Sequence, residues 1–167
     1  EGVRGFVVET DSDGFESRDI KGKFSLRASV TSELFLQDVK VPEANRLPDA
    51  AGFRGPLSCL TQARYGISWG ALGAAMACYE EALDYAKERE VQGGPLATKQ
   101  LVQEKLVFML TEITKGQLLS LQLGRLKDRG EMHPTMVSMA KRNNVDIALR
   151  IAREARDILG ANGIVGG

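Results

Sequence analysis

The sequence predicts an α+β fold, in which a β-rich N-terminal part is followed by three long antiparallel helices. Two observations predict it. Up to about residue 50, short apolar runs alternate with clusters of turn residues. From about residue 55, apolar residues recur at every third or fourth position over three long stretches. We therefore predict two domains, a β-rich domain at residues 1–50 and a helical domain at residues 51–167.

The N-terminal part is expected to consist of short strands joined by turns. Gly5–Glu9 is an apolar run that ends at the turn residues Asp11–Gly14. Thr31–Leu36 forms a second run, and Val39–Val41 alternates apolar and polar residues before a proline. Pro42–Gly55 contains further prolines and glycines, which is typical of a connector. We therefore expect strands at the three apolar runs.

Three helices follow the connector. The first, about Leu57–Glu88, carries apolar residues on two faces, so we expect it to be buried on most sides. The second, about Thr98–Asp128, has apolar residues at alternating spacings of four and three, as in an antiparallel bundle. The third begins at Pro134 and ends at Leu159, where Gly160 is the expected stop. Because the first helix has more apolar surface than three helices bury, we expect a fourth helix.

The inward positions of the second and third helices follow from the same spacing. In the second helix they are Val102, Leu106, Met109, Ile113, Gly116, Ser120 and Leu123, and in the third Val137, Ala140, Ala148, Ile151, Ala155 and Ile158.

Composition excludes several classes of function. Basic and acidic residues both number 22, so no net charge attracts nucleic acid or an anionic membrane. The apolar runs are too short to span a membrane. The two cysteines, Cys59 and Cys78, are expected to be buried thiols of a protein in a reducing compartment. Two cysteines are too few ligands for a structural zinc site. The single histidine, His133, lies in a turn between helices and is expected to be exposed rather than catalytic.

Two arginines are candidates for anchoring a polar ligand. Arg89 opens a loop with a Gly-Gly-Pro turn that ends at Gln100, and a guanidinium fork in such a loop can hold a diphosphate. The alternative is an arginine that only stabilises a helix C-terminus, by ~0.3–1 kcal/mol. Arg64 lies near the start of the first helix and marks a second polar site. Its alternative role is an ion pair with an acidic neighbour on the bundle surface.

The order of these motifs resembles the C-terminal half of the acyl-CoA dehydrogenases. Glu33–Leu47, with a Val-x-Val-Pro run and an Asn-containing loop, is similar to the end of the β domain of that family. Arg64, the Arg89 loop, Gln100 and the turn Leu159–Gly163 then follow in the family order. The resemblance covers essentially the whole chain. It implies the end of a β-barrel-like middle domain followed by helices of a C-terminal four-helix bundle.

Within the family, four segments are similar to the glutaryl-CoA dehydrogenase branch. They are Gly22–Ser29, Cys59–Gly70, Leu123–Asp128 and Lys141–Asn144. The branch implies oxidation of glutaryl-CoA by FAD, loss of CO2 to give crotonyl-CoA, and transfer of the electrons to an electron-transfer flavoprotein. Dehydrogenation of another short acyl-CoA, glutaryl-CoA oxidation without decarboxylation, and a non-catalytic helical binding module remain as alternatives.

The resemblance also implies the site residues. Arg89 and Gln100 correspond to family contacts with FAD, and the turn after the third helix approaches its adenosine end. The residues of that turn are Asp157, Ile158, Leu159, Gly160 and Ala161. The acyl-CoA channel would be lined by Leu57, Ser58, Cys59, Leu60, Thr61, Gln62, Ala63 and Arg64. Three positions depart from the family, which usually has Phe at Gln92 and commonly Gln at Asp157 and Gly at Ala161.

In the family, the arginine of the loop reaches the FAD of a neighbouring subunit, so the resemblance implies a homo-oligomer, a tetramer in this family. The catalytic base of the family is a Glu in a loop after the third helix, beyond Gly167. We therefore assign no catalytic residue and expect this chain alone to be inactive. Because Glu1 lies in a strand-like context, we expect the natural start to lie upstream. The expected compartment is the mitochondrial matrix in a eukaryote and the cytoplasm in a bacterium.

Overall fold

The computed structural model describes residues 2–165 and confirms the predicted α+β class. The four strands are β1 (Arg4–Phe6), β2 (Phe15–Asp19), β3 (Ser32–Leu36) and β4 (Arg46–Ala51). The three helices are α1 (Arg54–Glu88), α2 (Gln100–Asp128) and α3 (Pro134–Leu159). Short 3-10 turns lie at Glu43–Asn45, Leu96–Thr98 and Gly160–Ile164. The chain divides into two compact units, and the boundary along the sequence lies between Leu57 and Ser58. The domain limits at residues 50 and 51 stay a prediction.

The N-terminal unit contains two separate two-stranded antiparallel sheets. One pairs β1 with β4, and the other pairs β2 with β3, with Phe15 opposite Leu36 and Asp19 opposite Ser32. The Ser32 hydroxyl donates a 2.8 Å hydrogen bond to the Asp19 carboxylate across this pair. Within residues 2–165 the sheets do not close into a barrel.

Three details of the strand prediction are wrong. The residues of Val39–Val41 are not in a strand, β2 lies in a stretch for which no strand was predicted, and β4 lies where a connector was expected. β4 contains Pro48, which a two-stranded sheet tolerates because a proline on an edge strand need not donate to a ladder. Its pairing with β1 joins distant parts of the sequence, so no local pattern predicts it. Asn45 supports the pairing, because its carbonyl accepts a hydrogen bond from the Val7 N–H and its side-chain amide donates to the Val7 carbonyl.

The C-terminal unit is a bundle in which α2 runs antiparallel to both α1 and α3. Ser120 in the middle of α2 contacts Ser68 of α1 and Asn144 of α3, while Lys105 near the start of α2 contacts Asp157 near the end of α3. The predicted seam of α2 is confirmed, because six of its seven residues are buried and Val102 is half-buried. In α3 the spacing placed Ala148 inward, and Ile147 is the more deeply buried of the two.

The prediction that α1 is buried on most sides is wrong for residues 2–165. Its buried residues form one stripe, whereas Ile67 and Met76 are 49% and 37% exposed. Cys59 is exposed and Cys78 half-buried, so the expected burial of both thiols is also wrong. Both errors have one cause: two partner helices cover only one face of a helix, and Cys59 lies off that face. A fourth helix stays a prediction.

The ends of α3 agree with the sequence prediction. His133 is exposed and caps the helix, since its Nδ1 accepts a 3.4 Å hydrogen bond from the backbone N–H of Thr135. Pro134 occupies the first turn. Gly160 ends the helix with φ of 57°, a left-handed conformation that favours glycine.

Candidate functional site

The helix directions bring three groups of predicted residues to one end of the bundle. The C-terminal ends of α1 and α3 lie beside the N-terminal end of α2, because α2 runs opposite to both. Two contacts tie these ends together: Lys105 of α2 pairs with Asp157 of α3, and the Asn162 amide donates to the Tyr85 hydroxyl at 3.3 Å. We call this the Arg89 end. It comprises Arg89, Gln100, Asp157, Ile158, Leu159, Gly160 and Ala161.

The loop that carries Arg89 is held by its backbone. The Arg89 N–H donates to the Tyr85 carbonyl at 2.8 Å, and the Arg89 carbonyl accepts from Leu96 at 2.7 Å. At the loop tip, Gln92 and Gly93 both have positive φ, 53° and 80°, as in a type I′ turn. Gln92, where the resemblance leads one to expect Phe, is therefore exposed at this turn and has a left-handed backbone conformation.

The donor groups at the Arg89 end suit a diphosphate. The Arg89 side chain is exposed and, within residues 2–165, forms no ion pair or side-chain hydrogen bond. Gln100 is exposed in the first turn of α2, whose N-cap residue Lys99 provides no side-chain cap. A helix start without a side-chain cap presents backbone N–H groups and a positive dipole end to an anion. The guanidinium adds a paired donor for phosphate oxygens.

The turn after α3 has free space around Gly160 and is tightly packed at Gly163. An added Cβ at Gly160 would meet nothing within 4 Å, so the backbone there is accessible to a ligand. At Gly163 it would lie 2.5 Å from the Arg156 carbonyl oxygen, so the turn packs tightly onto the last turn of α3. The Ile158 side chain is 6% exposed and belongs to the core, which leaves only its backbone for contact.

Lys105 holds the end of α3 against the start of α2. Its ammonium pairs with Asp157 and, at 3.0 Å, with Glu154. The hydrogen bond to Asp157 is the main cause that raises the pKa of Lys105 above its usual 10.5. The contact reaches across 52 residues of sequence and orients the turn that begins at Asp157.

Replacing Lys105 by Met is expected to lower the free energy of unfolding by about 0.5–1 kcal/mol, the range of a partly exposed ion pair. Because the folded-state pKa is raised, the contribution is fully present below pH 10.5 and is lost as the pH rises through the higher folded value. Denaturant unfolding at pH 8 and above pH 10.5 measures it. Lys115→Met, which removes only an i,i+3 pair with Glu112, is the control. A wild-type advantage that persists unchanged at the highest pH contradicts the assignment.

The predicted substrate residues lie at the opposite end of α1. Leu57, Ser58, Cys59, Leu60, Gln62, Ala63 and Arg64 are exposed, and Thr61 is half-buried. Leu60, Arg64 and Ile67 share one exposed stripe of the helix, since they are separated by four and three residues. This stripe combines apolar surface with one cation. Within residues 2–165 the Arg64 guanidinium has no acidic partner, so the alternative of a surface ion pair finds no support there.

The two candidate sites are far apart in one copy of the bundle. Arg64 and Arg89 are separated by 25 residues, almost all in α1, which corresponds to about 37 Å at 1.5 Å per residue. One bundle therefore does not bring both arginines to the same small ligand.

Four side chains near these ends were not predicted from the sequence. Tyr85, Lys105 and Asn162 shape the Arg89 end, and Tyr65, which follows Arg64 in the sequence, contacts Gly124 of α2. Tyr65, Ser68 and Leu72 are separated by three and four residues, so the helical spacing could have predicted that Tyr65 faces the bundle. The partners of the other three are more than 50 residues away and have no local signal.

None of the helices in the described residues 2–165 has a stretch long and apolar enough to cross a membrane. No group of three His, Cys, Asp or Glu side chains in the same part of the chain is arranged to hold a metal ion.

Comparison with known proteins places these features in context. Residues 50–167 match the family model "Acyl-CoA dehydrogenase, C-terminal domain". A crystal structure of glutaryl-CoA dehydrogenase from Mycobacterium smegmatis is 55% identical, with a TM-score of 0.95, and the match covers 99% of this chain and 43% of that chain. A glutaryl-CoA dehydrogenase structure from the same organism, in complex with FADH2, is 51% identical with a TM-score of 0.94, over 98% of this chain and 42% of that chain.

An acyl-CoA dehydrogenase of Bacillus subtilis (strain 168) is 36% identical over 97% of this chain and 43% of its own length. The chain thus spans less than half the length of the proteins that it matches.

Proposed function

Because the chain belongs to the acyl-CoA dehydrogenase family, we propose that it forms part of an FAD-dependent acyl-CoA dehydrogenase. The observation that carries the proposal is the convergence of Arg89, Gln100 and the turn at Asp157–Ala161 at one end of the bundle. These groups come from three helix ends and have the chemistry to hold a diphosphate and a nucleoside.

We assign the residues of the Arg89 end as follows. The Arg89 guanidinium binds two diphosphate oxygens, and Gln100 donates or accepts one hydrogen bond beside it. The open backbone at Gly160 allows close approach of the adenosine part. When bound, FAD supplies the acceptor for the hydride that leaves the β-carbon of the acyl thioester. The chain itself contributes binding and orientation, and the base that removes the α-proton is not assigned to it.

We further propose that the protein acts as a homo-oligomer, a tetramer like others of its family. The roughly 37 Å between Arg64 and Arg89 supports this, because the two arginines of one chain then serve different active sites. Arg64 belongs to the acyl-CoA site of its own subunit, and Arg89 reaches the FAD held by a neighbour. In such an assembly each site is incomplete without a second copy of the chain.

The proposed substrate is glutaryl-CoA, which is oxidised and decarboxylated to crotonyl-CoA and CO2, with electrons passed to an electron-transfer flavoprotein. The identity of 55% and 51% to two glutaryl-CoA dehydrogenase structures from Mycobacterium smegmatis, against 36% to the Bacillus protein, supports this branch. The exposed stripe of Leu60, Arg64 and Ile67 offers apolar surface and a cation for an acyl-CoA. The proposed compartment is the mitochondrial matrix in a eukaryote and the cytoplasm in a bacterium.

The test mixes the full-length protein anaerobically with glutaryl-CoA and follows the flavin absorbance and the acyl product. Bleaching with formation of crotonyl-CoA is the expected result. Bleaching with glutaconyl-CoA as product, or with other acyl-CoAs only, keeps the family chemistry and removes the decarboxylating assignment. A protein that neither retains nor regains FAD contradicts the proposal and favours a non-catalytic binding module, for which Gln92 and Ala161 are the sequence arguments.

A further inference from the structure

We propose that Tyr65 is a positioning residue that sets the direction of Arg64 toward the acyl-CoA site by resting its phenol on Gly124 of α2. The inference rests on the proposed function, since it gives a task to a residue beside the proposed substrate segment. It concerns the packing of α1 on α2, a contact that lies outside both candidate sites.

The contact between Tyr65 and Gly124 leaves no room for a side chain at the glycine. A Cβ at Gly124 would lie 2.6 Å from the Tyr65 hydroxyl oxygen and 3.8 Å from the ring carbon that carries it. The tip of the phenol thus occupies the space of the missing side chain. Lys127, one turn further along α2, places its ammonium 5.3 Å from the centre of the same ring. Tyr65 is half-buried between these two residues.

The position of this contact along α1 gives it influence over Arg64. Ser68, one turn later, is fully buried and is tied to Ser120 and Asn144, so α1 is firmly fixed there. Tyr65 is the next residue toward the N-terminus on the same inward face, before the half-buried Thr61. Tyr65 directly follows the last residue of the proposed substrate segment, so a change in its packing acts on the helix backbone beside Arg64.

Arg64 depends on this backbone for its direction. It follows the neighbouring Tyr65 in any rotation of α1, because successive residues of a helix differ by a fixed angle about the axis. Within residues 2–165 no acidic side chain holds its guanidinium. Charge-assisted hydrogen bonds depend on the distance and direction between guanidinium and acceptor. The packing of Tyr65 therefore affects how well Arg64 binds the acyl-CoA.

The experiment uses Gly124→Ala in the full-length holoenzyme, with the best acyl-CoA substrate of the wild type. The added methyl pushes the phenol away, and we expect the KM for the acyl-CoA to rise about tenfold, the effect of weakening one hydrogen bond to a charged group. The FAD dissociation constant should stay within twofold, because the Arg89 end is remote. General loosening of the bundle would instead weaken FAD binding as well.

Two further variants identify the atoms responsible. Tyr65→Phe removes the oxygen at 2.6 Å and leaves a ring carbon at 3.8 Å, an ordinary contact distance. Gly124→Ala combined with Tyr65→Phe should therefore restore most of the KM. In an Arg64→Gln background, Gly124→Ala should change the KM by less than about twofold, because coupled residues do not act additively. If Gly124→Ala yields no flavoprotein, Tyr65→Ala replaces it, since it removes the contact without adding atoms.

The outcomes separate this inference from the proposed function. A wild type that binds and oxidises no acyl-CoA overturns both. An active wild type whose KM is unaffected by Gly124→Ala overturns the positioning role alone. The role is also overturned if Tyr65→Phe fails to rescue, if the effect is undiminished in the Arg64→Gln background, or if the FAD dissociation constant rises in parallel.

Discussion

Replacing Arg89 by Gln is expected to weaken FAD binding by roughly 10- to 100-fold. A hydrogen bond to a charged group contributes about 1.5–3 kcal/mol, and 1.4 kcal/mol is a factor of ten in affinity. Arg89→Lys should lose less, since it keeps the charge and loses only the planar fork. Fluorescence titration of the apoprotein with FAD measures both variants. The effect should fall at high salt, as expected for exposed charges.

Lys87→Gln is the matched control for Arg89. Lys87 is a cation in the last turn of the same helix, where it pairs with Asp84 at 3.5 Å. If Arg89 acts only on the helix dipole, the two Gln variants should lose similar stability, ~0.3–1 kcal/mol, and neither should alter FAD affinity. That result would remove Arg89 from the cofactor site. A selective loss of FAD affinity in the Arg89 variant supports the diphosphate contact.

Replacing Asn144 by Ala is expected to lower the free energy of unfolding by about 2–4 kcal/mol. The Asn144 amide is fully buried and donates to the Ser68 carbonyl at 3.1 Å and to the Ser120 hydroxyl at 2.9 Å. Its removal leaves a buried acceptor without its donor and opens a cavity, which together account for that range. Among the described residues no buried side-chain polar atom lacks a partner in the native protein.

Denaturant unfolding of the full-length protein, followed by helical circular dichroism, measures this loss. Arg153→Ala, an exposed position of the same helix, is the control and should change stability by less than about 0.5 kcal/mol. Asn144→Asp should be at least as damaging as Asn144→Ala, because a buried carboxylate would face the Ser68 carbonyl. Equal stability of Asn144→Ala and the control would mean that the polar contact between the three helices adds no net stabilisation.

Gly116 packs beside this contact, where there is no room for a larger side chain. An added Cβ would lie 2.6 Å from a methyl of Leu72 and 3.1 Å from the Asn144 side-chain oxygen. The three helices therefore approach one another closely at the level of Ser68, Ser120 and Asn144. A network that joins all three helices at one level also selects their register, since a shift by one turn would leave each polar group without its partner.

Features that depend on near neighbours along the chain could be predicted from the sequence. The three helices, the seam of α2, the proline start of α3 and the glycine stop at Gly160 are all visible from spacing and cap chemistry. The family membership was likewise evident from the order of local motifs, and the family model confirmed it. The spacing and cap signals act over three or four residues, so they can be recognised without knowledge of the fold.

Which distant residues contact one another could not be predicted from the sequence and became visible in the fold. The bond from Asn144 to Ser68 spans 76 residues and that from Asn162 to Tyr85 spans 77. The pairing of β1 with β4, the exposure of Cys59 and the contact of Tyr65 with Gly124 are equally non-local. Such contacts depend on how whole elements are oriented, and many orientations satisfy the same local pattern until packing selects one.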